Sequence, residues 1–392
     1  MTLTAELEFD ARATLGEGPC WDARTQRLYW VDIEKHQLHL YDPATRTDRS
    51  FALAQPVGAA VLRKSGGLML ALQQGFYGFD PDSETLTHLD NPETHLPENR
   101  FNDGKCDPAG RFWAGTMPLC ETKDCGSLYM LDTDLTVHQK VTGVRISNGL
   151  AWSPDERTMY YVDSPTRVVT AFAYDKATGA IANRRVVIEI PDGMGYPDGM
   201  SIDAEGMLWI ALWDGAAVGR WNPLTGALLA QISMPVSRPT SCVFGGKDLD
   251  ELYITSASTR LSAELLAQQP LEAPTALARA LLAQRGDERT ASARRPHVAD
   301  QLGELRGRGD LGVAVEPLAH VERHRGRLCR AEGEQSAEQR LALGGRERAH
   351  ASLAETRGPP ALGREAHVGE GAPVDAQGGQ TERAPAVRER VE

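Results

Sequence analysis

Gln26-Arg-Leu-Tyr-Trp-Val-Asp32 reads as a polar turn followed by a run of bulky aromatic and aliphatic residues, and the same unit returns along the chain. Its further copies are Gly66-Gly-Leu-Met-Leu-Ala71, Gly110-Arg-Phe-Trp-Ala-Gly115, Glu156-Arg-Thr-Met-Tyr-Tyr-Val-Asp163, Glu205-Gly-Met-Leu-Trp-Ile-Ala211 and Asp250-Glu-Leu-Tyr-Ile-Thr255, six copies in all, roughly 40 to 50 residues apart. Five of them are followed by a strand-like segment ending in a turn: Tyr41-Asp-Pro-Ala-Thr45, Phe79-Asp-Pro-Asp-Ser83, Leu131-Asp-Thr-Asp134, Tyr174-Asp-Lys-Ala-Thr-Gly179 and Trp221-Asn-Pro-Leu-Thr-Gly226. Asp-Pro-x-Thr-Gly suits a hairpin loop because Pro presets φ for a type I turn and Gly takes positive φ without strain. Aromatic and β-branched runs between such turns read as strands, and one apolar run plus two or three further strands per ~45 residues is the repeat of a propeller blade. A β-sandwich also has short strands and regular turns, but its turns come every ~8–12 residues without a longer composite period. The pattern predicts an all-β fold, a six-bladed β-propeller. The sixth copy lacks the hairpin signal that follows the others, so the last blade is expected to be incomplete or perturbed.

Composition divides the chain near the same place. Of its 392 residues 41% are hydrophobic and 24% charged, yet all 7 Trp, 9 Tyr and 8 Phe lie at or before Tyr253, and no Lys, Asn, Ile or Met follows Ile254. From Ser256 onward there are 20 Arg and 20 Asp plus Glu, which leaves 22 basic and 34 acidic residues before it and assigns the whole net charge of −12 to the first part. An acidic body disfavours a nucleic-acid partner, which needs a basic face to displace counterions. No apolar run reaches the ~20 residues of a membrane span. The start Met1 to Asp10 has no basic region followed by an apolar stretch, so neither a secretory signal nor a membrane partner is expected, and the expected location is cytoplasmic. Five cysteines (Cys20, Cys106, Cys120, Cys125, Cys242) are dispersed through the aromatic-rich part and are expected to be free thiols.

Loops from different blades converge at one end of a propeller's channel, so residues far apart in sequence can meet there. Four Gly- or Pro-bearing segments are candidates: Leu15-Gly-Glu-Gly-Pro19, Asn99-Arg-Phe-Asn-Asp-Gly-Lys105, Ser147-Asn-Gly-Leu150 and Tyr196-Pro-Asp-Gly-Met200. Each precedes one of the six strand copies by about ten residues, one and the same place in the blade. Placed on inner strands, Glu17, Asn102, Asn148 and Asp198 point to the axis. Carboxylates with amide carbonyls are a hard, all-oxygen donor set suited to Ca²⁺, Mg²⁺ or Mn²⁺, and Arg100 can hold a hydroxyl or carbonyl oxygen. Each segment alone is an ordinary turn sequence; the shared register carries the reading. His36, His39, His88, His95 and His138 show no metal spacing, and most are expected in surface or hairpin positions. No Gly-x-Ser-x-Gly elbow occurs, which disfavours a serine hydrolase.

Those segments, together with Asp107-Pro-Ala-Gly-Arg111, Ala114-Gly-Thr-Met117 and Ser241-Cys-Val-Phe-Gly-Gly246, resemble the SMP-30/gluconolactonase/regucalcin family from about residue 5 to about residue 270. The resemblance implies a six-bladed propeller that binds one divalent metal ion (Ca, Zn, Mn or Mg) and hydrolyses sugar lactones. By motif match Glu17, Asn148 and Asp198 correspond to the family's metal ligands, Asp198 also to its general base, and Arg100 and Asn102 to its substrate contacts. A further substrate-contacting Glu follows Gly-Thr-Met in some members; equal spacing falls here on Cys120, with Glu121 one residue on as its counterpart. The expected activity is that of a hydrolase acting on carboxylic ester bonds in aldonolactones, by a monomer or dimer. The alternative is a non-catalytic calcium-binding regulatory propeller.

Family members end on a Gly-Gly-hydrophobic strand that builds the last blade, whereas this chain continues as Glu272-Ala-Pro-Thr275. The expected division is therefore a propeller over residues 1–271 and an Ala/Arg/Gly/Glu-rich tail over 272–392. Without aromatics or Ile the tail has little to offset an ordering entropy of ~1–2 kcal/mol per residue, so disorder with transient helices at Ser262–Gln269 and Thr275–Gln284 is expected. The missing residue types are those with AT-rich codons, which suggests a GC-rich gene read in a shifted frame beyond about Leu271; the alternative is a genuine interaction tail. On this reading residues after 271 supply neither ligands nor core.

Overall fold

A computed structural model of the protein describes residues 2–262, 264 and 277–282. Among these residues the strands form six sheets arranged as propeller blades. Blade 1 is Gly16–Asp22, Arg27–Asp32, Gln37–Asp42 and Thr47–Ala52, and blade 2 is Val57–Leu62, Leu68–Leu72, Gly75–Asp80 and Thr85–Asp90. Blade 3 is Asn99–Cys106, Phe112–Pro118, Gly126–Leu131 and Val137–Val144, and blade 4 is Ser147–Trp152, Thr158–Asp163, Val168–Asp175 and Ala180–Glu189. Blade 5 is Tyr196–Ile202, Leu208–Trp213, Ala217–Trp221 and Leu228–Ser233, with Thr2–Thr4 added in parallel to its outer strand. Within each blade neighbouring strands are antiparallel, and the first strands of successive blades lie against one another around the axis.

Each repeated apolar run is the second strand of its blade, and each of the five turn signals joins a third strand to a fourth. The second strands are buried on both faces because every blade is sandwiched between two others. That is why they read as continuous apolar runs and not as alternating ones. Leu68–Leu72 is buried at every residue, and Trp30, Trp113 and Tyr161 are almost wholly enclosed. Polar anchors fix these aromatics: the Trp113 indole donates to Asp107 Oδ2 at 2.9 Å and the Trp209 indole to Asp203 Oδ2 at 3.0 Å, both acceptors lying at the turn before the strand.

Blade 6 explains the absent sixth hairpin. Its strands are Pro239–Gly245, Glu251–Ser256, Leu277–Leu281 and, outermost, Glu6–Phe9 from the beginning of the chain. The fourth strand is thus borrowed from the N-terminal segment, which closes the ring, and no hairpin has to follow the third. The expectation that residues after 271 add no core is corrected at Leu277–Leu281, as is the helix expected over Thr275–Gln284. Leu277 packs with Leu28, Trp30, Tyr41 and Tyr253, while Ala278 and Ala280 pack toward Trp209, Leu252 and Ile254. The expectation failed because a strand enclosed on both faces needs only small or apolar residues that fit, not aromatic content or a polar–apolar alternation. Most of the expected helix at Ser262–Gln269, and the remainder of the expected tail, lie outside the described residues. No helix among the described residues is long and apolar enough to cross a membrane.

Candidate functional site

Every inner strand carries a register shift against its second strand at the same level: between Glu17 and Cys20, Val57 and Ala59, Phe101 and Gly104, Ser147 and Leu150, Pro197 and Met200, and Pro239 and Ser241. A bulge inserts an unpaired residue and re-aims its side chain. Here the residues released from the ladder are Asn102 and Asp103, Asn148, and Asp198, with Glu17 at the edge of its own bulge. The shared register noticed in the sequence is this ring of bulges.

The bulges need glycine where inner strands pass closely. A Cβ on Gly58 would sit 2.3 Å from the Asn102 carbonyl oxygen and 2.5 Å from that of Phe101, and one on Gly149 would sit 2.6 Å from the Asp198 oxygen. The strand entries are also clamped in the same way in two blades. Asp32, at the end of its second strand, accepts the backbone N–H groups of Thr14 and Leu15 at 2.8 and 3.1 Å, just before Glu17. Asp163 does the same for Arg145 and Ile146 at 3.2 and 2.9 Å, just before Asn148.

Glu17, Arg100, Asn102, Asn148 and Asp198 are all buried and gathered at one end of the channel. Glu17 Oε2 accepts the Gly18 N–H at 2.9 Å. Burial pushes the Glu17 carboxyl up to about 8, with the charge of Asp103 adding to the shift. Burial also raises Asp198 well above the ordinary carboxylate range, aided by Glu17 and then Asp103. Asp103, which sequence reading passed over although it sits in the same bulge as Asn102, is itself raised by burial. Burial lowers the Arg100 guanidinium. Asp198 Oδ1 is enclosed and has no hydrogen-bond partner. Three buried carboxyls whose ionised forms are disfavoured by enclosure, and an orphaned carboxylate oxygen among them, form a place that a bound cation would stabilise.

Among the described residues no three His, Cys, Asp or Glu side chains are grouped so as to hold a metal ion. Asn148 offers an amide oxygen beside the carboxylates of Glu17 and Asp198, and together these are hard oxygen donors of the kind that suit Ca²⁺, Mg²⁺ or Mn²⁺. Asn148 Oδ1 accepts from Asn102 Nδ2 at 2.9 Å, and Asn148 Nδ2 donates to Ser164 Oγ at 2.8 Å. Asn102 Oδ1 accepts from Arg100 Nη1 at 2.6 Å.

Of these groups Arg100 also lines a cavity of about 200 Å³, together with Glu34, His36, Met117, Glu121 and Arg260 among others. Arg100 thus joins the buried cluster to the cavity. Glu121 stands on the cavity wall, paired with Arg260 through two contacts of 2.6 and 2.7 Å. Glu34, His36 and Arg260 were missed because they lie on connections outside the common register. His36 lines the cavity in a turn with positive φ. His39, contrary to a surface placement, is buried beneath Trp30 with its Nδ1 2.6 Å from Asp48.

The family model of the SMP-30/Gluconolactonase/LRE-like region matches residues 15–258. The chain belongs to this family. A regucalcin from Xenopus laevis is 41% identical over 261 residues, covering 65% of this chain and 87% of the relative. A Bacillus subtilis protein named "Putative sugar lactone lactonase YvrE" is 38% identical over 268 residues, covering 68% and 92%. The crystal structure of a calcium-binding protein, regucalcin, from Agrobacterium tumefaciens superposes with a TM-score of 0.68 at 28% identity, covering 72% of this chain and 94% of that one. The matched region contains all six bulges, and with them every residue of the buried cluster.

Proposed function

We propose that this chain is a divalent-metal-dependent hydrolase of sugar lactones, opening aldonolactones to aldonic acids. The observation that carries the reading is the buried set Glu17, Asn148 and Asp198, with the unpartnered Asp198 Oδ1, tied through Asn102 to Arg100 on the wall of a small cavity. The lactonase and gluconolactonase names among its relatives support the reaction class.

Glu17, Asn148 and Asp198 would hold the ion, which when bound supplies Lewis-acid polarisation of the lactone carbonyl. Arg100 has only donors to offer, so it binds sugar hydroxyl or carbonyl oxygens, and Asn102 keeps that guanidinium in place. Glu121, in the same cavity lining and paired with Arg260, offers its remaining carboxylate lone pairs to sugar hydroxyls. The Asp198 carboxylate accepts a proton from the attacking water. The water oxygen bonds to the carbonyl carbon, the ring C–O bond breaks, and the proton passes to the ring oxygen as the new hydroxyl. A positioned base of this kind typically contributes ~10²–10⁴-fold. Enclosure of the cluster keeps Asp198 from being solvated, so the carboxylate is a stronger base toward a bound water than it would be at the surface.

The test is acidification of a weakly buffered gluconolactone solution. It should accelerate with the folded full-length chain plus Ca²⁺, Mn²⁺, Mg²⁺ or Zn²⁺ and stop with EDTA; no acceleration with any of these ions and a panel of aldonolactones overturns the reading. A second reading, a calcium-binding module without turnover, is favoured by the description of the Agrobacterium tumefaciens relative as a calcium-binding protein. It predicts cation binding in the same site and no acidification.

A further inference from the structure

Ser164 begins a short 3-10 turn directly after the second strand of blade 4 and is buried. Its backbone N–H donates to the Ile146 carbonyl at 3.1 Å, which ties it to the entry of the Asn148 strand. Its hydroxyl proton goes to the Pro197 carbonyl oxygen at 2.6 Å, one residue before Asp198. Its oxygen accepts the Asn148 Nδ2 at 2.8 Å. One hydroxyl therefore bridges the side chain of one cation ligand and the backbone leading into another.

The donors and acceptors in this chain leave no choice of direction. Arg100 is donor-only, so the end of the Asn102 amide that faces it, at 2.6 Å, is the oxygen. Asn102 Nδ2 then faces the Ser147 carbonyl at 2.7 Å and Asn148 Oδ1 at 2.9 Å. At the far end the Pro197 carbonyl is acceptor-only and takes the single proton of Ser164. Ser164 can then only accept from Asn148, so the amide nitrogen of Asn148 faces Ser164 and its oxygen faces away. A reversed Asn148 amide would set its nitrogen against the Asn102 nitrogen. It would also draw the Ser164 proton off Pro197, breaking the 2.6 Å bond that the carbonyl accepts.

We propose that Ser164 is a positioning residue of the cation site: it holds the Asn148 amide with its oxygen, and not its nitrogen, available as a ligand. The proposal rests on the reading of Glu17, Asn148 and Asp198 as cation ligands. Nothing in the sequence pattern pointed to it, because Ser164 follows a second strand and lies outside the register of the inner-strand bulges. Outer-shell partners of metal ligands typically change affinity about 10- to 100-fold, and a misdirected amide removes a donor and presents N–H to a cation.

The test uses the full-length chain. Calorimetric titration with Ca²⁺ and Mn²⁺ should show Ser164→Ala binding about tenfold more weakly than wild type, with Ser164→Thr, which keeps the hydroxyl, within about threefold. In an Asn148→Asp background, where both ends of the side chain are oxygen, Ser164→Ala should cost at least threefold less affinity than it does in the wild type. Wild-type affinity in Ser164→Ala overturns the proposal, and so does an equal loss in both backgrounds or an equal loss in Ser164→Thr. A second readout needs no ion. In EDTA-treated, ¹⁵N-labelled protein the Asn148 side-chain NH₂ should exchange with solvent at least tenfold faster in Ser164→Ala than in wild type, and equal exchange overturns the proposal. If folded wild type binds neither of these ions nor Mg²⁺ or Zn²⁺, the proposed function fails while the exchange comparison still decides the role of Ser164.

Discussion

Replacing Glu17 by Gln tests the electrostatics of the site most directly. In the folded chain burial and Asp103 push the Glu17 carboxyl from an ordinary 4.5 up to about 8. The folded state therefore holds this proton more tightly than the unfolded state does. Below about pH 4.5 both states are protonated and Glu17 exerts no pH effect; as pH rises through the window from 4.5 to about 8 the unfolded chain ionises first, and folding stability falls. With 1.36 kcal/mol per pKa unit, Glu17 costs about 1 kcal/mol at pH 5 and about 4 kcal/mol at pH 7.5, a loss of about 3 kcal/mol across that interval. For a propeller of this size the loss corresponds to roughly 5 °C in thermal midpoint. The assay is circular-dichroism melting of wild type and Glu17→Gln at pH 5 and pH 7.5 with EDTA. Wild type should lose midpoint toward pH 7.5 by about that amount more than the variant, since Gln has no proton to lose and its neutrality also eases Asp198. Saturating Ca²⁺ or Mn²⁺ should reverse the wild-type trend, because the ion binds the ionised carboxylates and its affinity rises with pH. Equal pH dependence of wild type and Glu17→Gln in EDTA would refute the argument that Glu17 is an enclosed, cation-deprived carboxyl.

Asp198→Asn keeps the size of the side chain and one ligand oxygen while removing the base, so lactone turnover should fall ~10²–10⁴-fold and cation affinity much less; parallel losses in rate assays and calorimetry contradict the base role. Gly58→Ala places a methyl 2.3 Å from the Asn102 carbonyl oxygen, and backbone cannot yield as a flexible side chain does. The expected cost is about 1–3 kcal/mol, read as a lowered midpoint together with weakened cation binding, and an unchanged melt contradicts it. Leu277→Ala should cost about 2–5 kcal/mol, because the side chain is enclosed between blades 6 and 1. A midpoint equal to wild type would show that the strand Leu277–Leu281 does not hold the blade.

Much of this molecule is legible in its sequence for a definite physical reason. Second strands buried on both faces must be continuously apolar, so Arg27–Asp32 and its five counterparts announce themselves, and hairpins between third and fourth strands need Pro, Asp and Gly. Glu17, Asn102, Asn148 and Asp198 were visible because bulges demand small or polar residues at one level of every inner strand. Asp103 was passed over only because its neighbour Asn102 occupies the same bulge. Ser164, Glu34 and Arg260 could not be seen in this way: they approach from connections whose path depends on how the blades pack. The third strand of blade 6 was missed for another reason. Composition measures what a segment could bury in isolation, whereas Leu-Ala-Arg-Ala-Leu at 277–281 is enclosed by neighbours that were already in place.

That last strand bears on the site although it lies far from it. The bulges that carry Glu17, Asn148 and Asp198 sit in blades 1, 4 and 5, so their mutual spacing is fixed only if the ring closes between blade 6 and blade 1. Closure at the level of the bulges is made by Thr240, in the blade 6 bulge, whose hydroxyl lies 2.5 Å from the Gly16 carbonyl, one residue before Glu17. Away from the axis it is made by Leu277 packing against Leu28 and Trp30, and by Glu8, from the outer strand of blade 6, accepting the Tyr41 hydroxyl at 2.8 Å. Glu8 also pairs with Arg279 at 3.1 Å, so the borrowed N-terminal strand and the strand Leu277–Leu281 hold each other in place. Removing Leu277–Leu281 opens a ladder edge on Glu251–Ser256, removing Glu6–Phe9 opens one on Leu277–Leu281, and either loosens the same seam. The position of Glu17 relative to Asn148 and Asp198 is thus a property of the closed ring and not of blade 1. Damage to residues 277–281 should therefore reach cation affinity before it reaches any ligand.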